Sequence, residues 1–275
     1  MKKTNIFIII FMLLNLYAIG QSYPYGISVD SFSIVDRRPG FFSGSLTYFT
    51  RFTVYKPINF DSTSSPLLIG IHGSGDDGTH TISRLQAIAD RRNCLVVAPN
   101  MASACILSNE AICSWIDTIE VKGVLEPASI QMKDLYDHIK SKEGRDSIPT
   151  YMIGFSAGGQ FVSRYLLTRQ LYIDSIPLRM AVSADPYFYT FPTDTFNGVA
   201  MPWMCGFIPV QHNAFGAGYL RYADSLYSFF CNDNALQYYN ENYGVLIGTG
   251  DTIAFTDGPC GMIQGSNRYE RAQTF

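Results

Sequence analysis

Five short apolar runs punctuate the chain: Leu67 to Ile71, Leu95 to Ala98, Tyr151 to Ile153, Met180 to Ser183 and Val245 to Ile247. Each is closed nearby by Gly, Pro, Asn or Asp, and each is too short to be a helix with a buried stripe. Runs of this kind, without a polar residue at every second position, are the mark of strands buried on both faces. Between them lie helical stretches around Ile82 to Arg91, Ser129 to Lys140, Gln160 to Arg169 and Tyr219 to Phe230. Strands alternating with crossover helices predict an α/β domain, a mostly parallel sheet with helices on both faces. An earlier segment, Tyr48 to Tyr55, is rich in aromatic and β-branched residues and is expected to be a half-exposed strand near a sheet edge.

Two connections are too long to be plain loops. Residues 99–125 follow the Leu95 strand and residues 185–218 follow the Met180 strand. The second holds Tyr187, Tyr189, Trp203, Phe207 and Phe215 among four prolines. Insertions at the carboxyl ends of parallel strands commonly roof a binding site, which makes Tyr189 and Trp203 candidate substrate contacts. The same rings would equally serve to pack the insertion onto the body.

Composition narrows the function. The 275 residues are 47% hydrophobic and only 16% charged, enough apolar material for one large core. A net charge of -3 leaves no basic field for a nucleic-acid partner. At the amino terminus Lys2 and Lys3 precede an apolar run from Ile6 to Gly20, and Ala18-Ile19-Gly20 suits a cut before Gln21. That is the three-part pattern of a secretory signal peptide, so residues 1–20 are read as a leader and 21–275 as one domain. A secreted or periplasmic protein with no membrane attachment after cleavage is expected. The run is shorter than the ~20 residues that span a bilayer, which disfavours an uncleaved anchor. Export permits disulfides among the six cysteines, with Cys105 and Cys113 the favoured pair around a short loop and Cys94, which opens the run CLVVAP, a buried strand thiol. No CxxC spacing occurs, and of the four histidines only His72 and His80 are near one another in sequence, so neither a metal nor any other cofactor is expected.

The chemistry is concentrated in Gly154-Phe155-Ser156-Ala157-Gly158. This G-x-S-x-G pentapeptide directly follows a strand and directly precedes an amphipathic stretch bearing Phe161, Val162, Tyr165 and Leu166. A strand, a sharp turn and a helix in that order expose a strained serine above a sheet, which makes Ser156 the candidate nucleophile. Glycines flank it because the turn has no room for a Cβ.

Leu67 to Ile71 runs straight into His72-Gly73-Ser74-Gly75, a turn suited to hold a backbone donor for an oxyanion. The donors are assigned to the amides of Ala157 and Ser74, with Gly75 the substitute for Ser74. His72 is read as shaping that turn, and His80 as a solvated neighbour of a helix cap. The acid is assigned to Asp251, just past the late strand in Val245-Leu246-Ile247-Gly248-Thr249-Gly250-Asp251. Asp185, after the Met180 strand, is the competing candidate.

On FTVYKP, LLIGIHGSG, VVAPN, GFSAGGQFVSRY, YTFP and LIGTGDT, the chain resembles secreted α/β-hydrolase esterases of the polyhydroxybutyrate-depolymerase-like and feruloyl-esterase-like group over about residues 45–275. The resemblance implies the α/β-hydrolase fold, Ser156 as nucleophile and Asp251 as acid. It also implies a small-molecule or polymeric ester as substrate. Cys113-Ser114-Trp115 is similar to a segment at the substrate mouth of such esterases, which implies Trp115 as a further substrate contact. In this fold the order is serine, acid, histidine, and the histidine follows one more strand. Residues 252–275 contain no histidine, and Asn267 to Phe275 reads as the opening of a helix. The catalytic histidine is therefore expected outside these 275 residues, with a C-terminal strand missing and the domain C-terminally incomplete. His212 is the one substitute within them, since His138 sits on a crossover helix. The competing reading is a non-catalytic binding protein on the same fold.

Overall fold

A computed structural model of the chain describes residues 22–35, 47–101, 128–169, 176–191, 193, 195–201, 243–252 and 264–274. Among them, seven strands form one sheet: β1 (Gly26–Val35), β2 (Thr47–Lys56), β3 (Leu67–Ile71), β4 (Leu95–Pro99), β5 (Thr150–Phe155), β6 (Leu178–Ala184) and β9 (Tyr243–Leu246), in the order β1-β2-β4-β3-β5-β6-β9. The strands from β4 to β9 are parallel to one another, whereas β2 runs antiparallel to both β1 and β4. A separate two-stranded hairpin joins β7 (Thr195–Phe196) to β8 (Val199–Ala200).

The helices divide between the two faces, as the connections require. Helix α1 (Gly78–Arg92) links β3 to β4, moving toward β2. Helices α2 (Ala128–Lys142) and α3 (Ala157–Thr168) link β4 to β5 and β5 to β6, moving the other way. Right-handed crossovers in opposite directions put α1 on one face and α2 and α3 on the other. The buried clusters follow that division. Leu67, Ile69, Ile71 and Val97 pack with Leu135, Phe161 and Tyr165 on one side, and Leu68, Val96 and Ala98 pack with Ile82, Leu85 and Ala89 on the other. Helix α4 (Arg268–Thr274) closes the described chain, where the sequence suggested a helix opening.

Two expectations are corrected. The second half of β2 is not half-exposed: Phe52 and Val54 are fully buried and Tyr55 and Lys56 nearly so. Its whole length is covered by β1 as a further outer strand, and helices lie on both its faces. Conversely, β5 and β6 are not buried on both faces by the described residues. Tyr151, Phe155 and Met180 are 40–46% exposed on the face that carries α1. That helix covers β2, β4 and β3 and does not extend over β5 and β6, leaving an apolar cavity of about 410 Å³ lined by Leu85, Ile88, Tyr151, Ile153, Met180 and Val182.

Candidate active site

Ser156 stands at the junction of β5 and α3 in the left-handed region, with φ 54° and ψ -115°. Its amide donates to the Ala184 carbonyl at 2.8 Å and its carbonyl accepts from Gln160 at 3.1 Å, so the backbone is tied to β6 and to the first turn of α3. A non-glycine residue held there stores strain that the surrounding bonds must over-determine. Although Ser156 occupies the N-cap position, its hydroxyl makes no capping bond and is left for other partners.

The glycines of the motif have a geometric cause. A Cβ on Gly154 would lie 2.0 Å from the Gly158 carbonyl oxygen, and one on Gly158 would lie 2.3 Å from the Ile71 carbonyl oxygen. Neither backbone atom can retreat, so the turn admits only glycine. Gly73 abuts the same place, since a Cβ there would come within 3.5 Å of the Ser156 Cβ. The His72-Gly73-Ser74-Gly75 turn therefore lies directly beside the serine, and Ala157 opens the helix on its other side. Ser74 is exposed within this turn, which is closed by a bond from the Asp76 amide to the Gly73 carbonyl at 3.2 Å.

His72 is only 2% exposed, and both ring nitrogens are engaged. Nε2 accepts from the Met101 amide at 2.9 Å, which fixes the proton on Nδ1, and Nδ1 donates to the Gly73 carbonyl at 2.8 Å. It holds the turn and has no nitrogen to offer the serine. The His80 ring is solvent-exposed beside Asp76 and Asp77. His138 lies on α2, with Nε2 3.1 Å from Asp30 of β1, at the other end of the sheet. His212 lies outside the described residues.

Asp251 follows β9, in a turn closed by its own amide donating to Gly248 at 3.0 Å. Asp185 supports that turn: its amide donates to the Leu246 carbonyl and its carboxylate accepts from the Gly248 amide, both at 2.8 Å. The competing acid thus buttresses the loop of the first.

Ser156 and Asp251 are brought together by a residue that the sequence reading did not single out. The Arg268 guanidinium donates from Nη1 to Asp251 Oδ2 at 3.2 Å and from Nη2 to Ser156 Oγ at 3.5 Å. The backbone joins in, because the Tyr269 amide donates to the Asp251 carbonyl at 3.3 Å. No motif could have marked Arg268: it lies 112 positions from the serine, and only the docking of α4 brings the two side chains together.

The roof insertion is described in part. Tyr189 is fully buried with Phe188, Phe191 and Met201, and its backbone is bonded twice to the Gln264 side chain, at 2.9 and 2.6 Å. Burial pushes its phenol well above the usual tyrosine range. Its ring packs within that cluster, and its backbone ties the insertion to the segment that leads into α4. Tyr187 is nearer the site, with the guanidinium of Arg271 4.8 Å and that of Arg268 6.0 Å from its ring centre. Trp115 and Trp203 lie outside the described residues, as do five of the six cysteines. Cys94 is a free, buried thiol that burial pushes up to about 11. Among the described residues, no group of three or more His, Cys, Asp or Glu side chains is placed to hold a metal.

No protein-family model matches the chain. No curated protein matches it. Solved structures do. Poly(aspartic acid) hydrolase-1 from Sphingomonas sp. KT-1 superposes with a TM-score of 0.62 at 20% identity, covering 92% of this chain and 84% of the other. A poly(3-hydroxybutyrate) depolymerase from Bordetella parapertussis gives 0.63 at 20% identity, covering 92% and 76%. With the sheet order and the serine elbow, these likenesses establish that the chain has the α/β-hydrolase fold.

Proposed function

We propose that the protein is an exported serine hydrolase that cleaves carboxylic esters. The observation that carries this reading is Ser156 in a left-handed turn between strand and helix, with the acid loop of Asp251 reaching the same point through one guanidinium. Ser156 Oγ attacks the ester carbonyl while a histidine takes its proton, and Asp251 holds that histidine in its working tautomer. The amides of Ala157 and Ser74 hold the oxyanion. Collapse expels the alcohol with the proton returned by the histidine, and a water molecule repeats the sequence to release the acid. No cofactor or metal takes part.

None of the described histidines is placed to serve as the base: both His72 nitrogens are engaged, His80 lies beside Asp76 and Asp77, and His138 pairs with Asp30 of β1. In this fold the histidine follows the acid in the chain, whereas His212 precedes Asp251. The likeness to a poly(3-hydroxybutyrate) depolymerase supports a short-acyl ester, small or polymeric, as substrate. Export rests on the charged and apolar leader, with Gln21 as the first mature residue. No helix among the described residues is long and apolar enough to cross a membrane.

One observation favours the rival, a binding protein without chemistry. The group between Ser156 and Asp251 is a guanidinium, which cannot accept a proton. The experiment is to measure hydrolysis of p-nitrophenyl esters of rising acyl length, beside a feruloyl ester, by the protein, by Ser156→Ala and by His212→Ala. Hydrolysis that Ser156→Ala abolishes is expected. Activity that vanishes in His212→Ala would place the base at His212. No hydrolysis, with no phosphonate adduct at Ser156, would leave the binding protein.

A further inference from the structure

We infer that Asp185 is a positioning residue for the reaction, one that holds the turn carrying Asp251 in register with Ser156 and takes no part in the chemistry itself. The inference rests on the serine-hydrolase reading above and adds a residue to it.

The peptide group between Ala184 and Asp185 stands between the nucleophile and the acid. Its carbonyl accepts from the Ser156 amide and its N–H donates to the Leu246 carbonyl, both at 2.8 Å. One planar unit therefore fixes the serine elbow on one side and the end of β9 on the other. At Asp185 the backbone enters the left-handed region, with φ 43°, a conformation that Asp tolerates better than most side chains. The bend is held from beyond as well, since the Tyr187 carbonyl accepts from Arg271 and the Tyr189 backbone is bonded to the Gln264 side chain.

The carboxylate extends this link past the end of the sheet. Strand β9 stops at Leu246, and the turn that follows, Gly248-Thr249-Gly250-Asp251, contains two glycines, the residue with the most backbone freedom. Asp185 Oδ1 accepts from the Gly248 amide at 2.8 Å, and the Gly248 carbonyl accepts from the Asp251 amide at 3.0 Å. Gly248 is thus the single residue between the anchoring carboxylate and the acid. The two Asp185 oxygens lie 3.8 and 3.9 Å from where a Gly248 Cβ would stand, so the whole group rests against the start of the turn. A charge-assisted bond there removes freedom from a turn that its own sequence leaves loose. That matters for catalysis, because a supporting group that lets a reacting constellation drift by about 1 Å costs about 10²-fold in rate.

Two variants separate positioning from folding. Asp185→Gly suits the left-handed backbone and removes the carboxylate, whereas Asp185→Asn suits the same backbone and keeps an Oδ1 acceptor. Hydrolysis of p-nitrophenyl butyrate, hydrogen exchange at the Gly248 amide and thermal unfolding are measured on the protein and on both variants. Asp185→Gly is expected to speed exchange at Gly248 by about tenfold or more. It should lower kcat by about 10- to 100-fold with KM nearly unchanged and the melting temperature close to wild type. Asp185→Asn should bring exchange and kcat most of the way back. A lowered melting temperature with kcat intact in the folded Asp185→Gly protein would make the residue structural and overturn the inference. A loss of about 10³-fold or more in Asp185→Asn would make Asp185 the acid itself and overturn it too. Should Asp185→Gly not fold, Asp185→Asn alone still decides on that ground. A wild-type protein without hydrolysis would remove the serine-hydrolase reading, and exchange then decides separately: faster exchange in Asp185→Gly keeps the anchored turn, and unchanged exchange overturns it.

Discussion

At the scale of single residues, the Ser156 turn and its glycines were legible because the turn's steric demand is written in the sequence itself. Gly154 and Gly158 are required by backbone oxygens 2.0 and 2.3 Å from where their Cβ atoms would be. Gly158→Ala is therefore expected to lower the unfolding free energy by about 2–3 kcal/mol, read from urea denaturation midpoints, because the atom it strikes is backbone of β3. His72 was legible as a turn residue for a similar reason, its place between a strand and two glycines. Arg268 was not legible. A side chain that reaches the site through the docking of a seven-residue helix leaves no local pattern. Tyr189 was singled out as an aromatic in an insertion, but composition does not say which rings face inward.

At the scale of elements, β3 was read to the residue and β4, β5 and β6 within one or two, since short apolar runs bounded by turn residues report central strands directly. Strand β1 was missed: Ile27 and Val29 point to solvent on an outer strand, which breaks the expected contrast between faces. The β7–β8 hairpin was missed although Asn197 and Gly198, both with positive φ, form the favoured two-residue turn. Helix α1 began four residues before its apolar stripe, because its start is set by a cap. The Asp77 side chain accepts from the His80 amide at 2.8 Å. Asp77→Ala should cost about 1 kcal/mol in thermal or urea unfolding. The same hydrogen bond, with smaller help from the His80 charge against burial, holds the Asp77 carboxyl below its usual range. A folded-state value below the unfolded one means the stabilisation is present above the unfolded carboxyl value and is lost as pH falls through the folded one. The wild-type protein should therefore lose more stability than Asp77→Ala as pH falls below about 4, measured by urea unfolding across that range.

At the scale of the whole molecule, the amino-terminal end of the domain is fastened by a buried ion pair. Lys56 Nζ lies 2.8 Å from Glu143 Oε2 with both side chains almost wholly buried, and the Ser22 hydroxyl and Tyr23 amide donate to the same carboxylate. The pair joins β2 to the end of α2 and to the first described residues. Glu143→Ala should cost about 3–5 kcal/mol, because it strands a buried ammonium, whereas Lys56→Met with Glu143→Leu should cost much less than the sum of the two. A double-mutant cycle in urea reads the difference. Nothing in the sequence pattern paired these two residues, since ion pairs across 87 positions follow from topology alone.

The central claim is that Ser156 is the nucleophile of an ester hydrolase, and one comparison addresses it most directly. Hydrolysis of p-nitrophenyl butyrate is measured for the protein with and without Ser156→Ala, and thermal unfolding is followed on both. The account predicts that turnover falls by a factor of about 10³ or more while the melting temperature is unchanged or slightly raised, since alanine removes the hydroxyl but not the strained turn. Near wild-type turnover in the folded Ser156→Ala protein would contradict it.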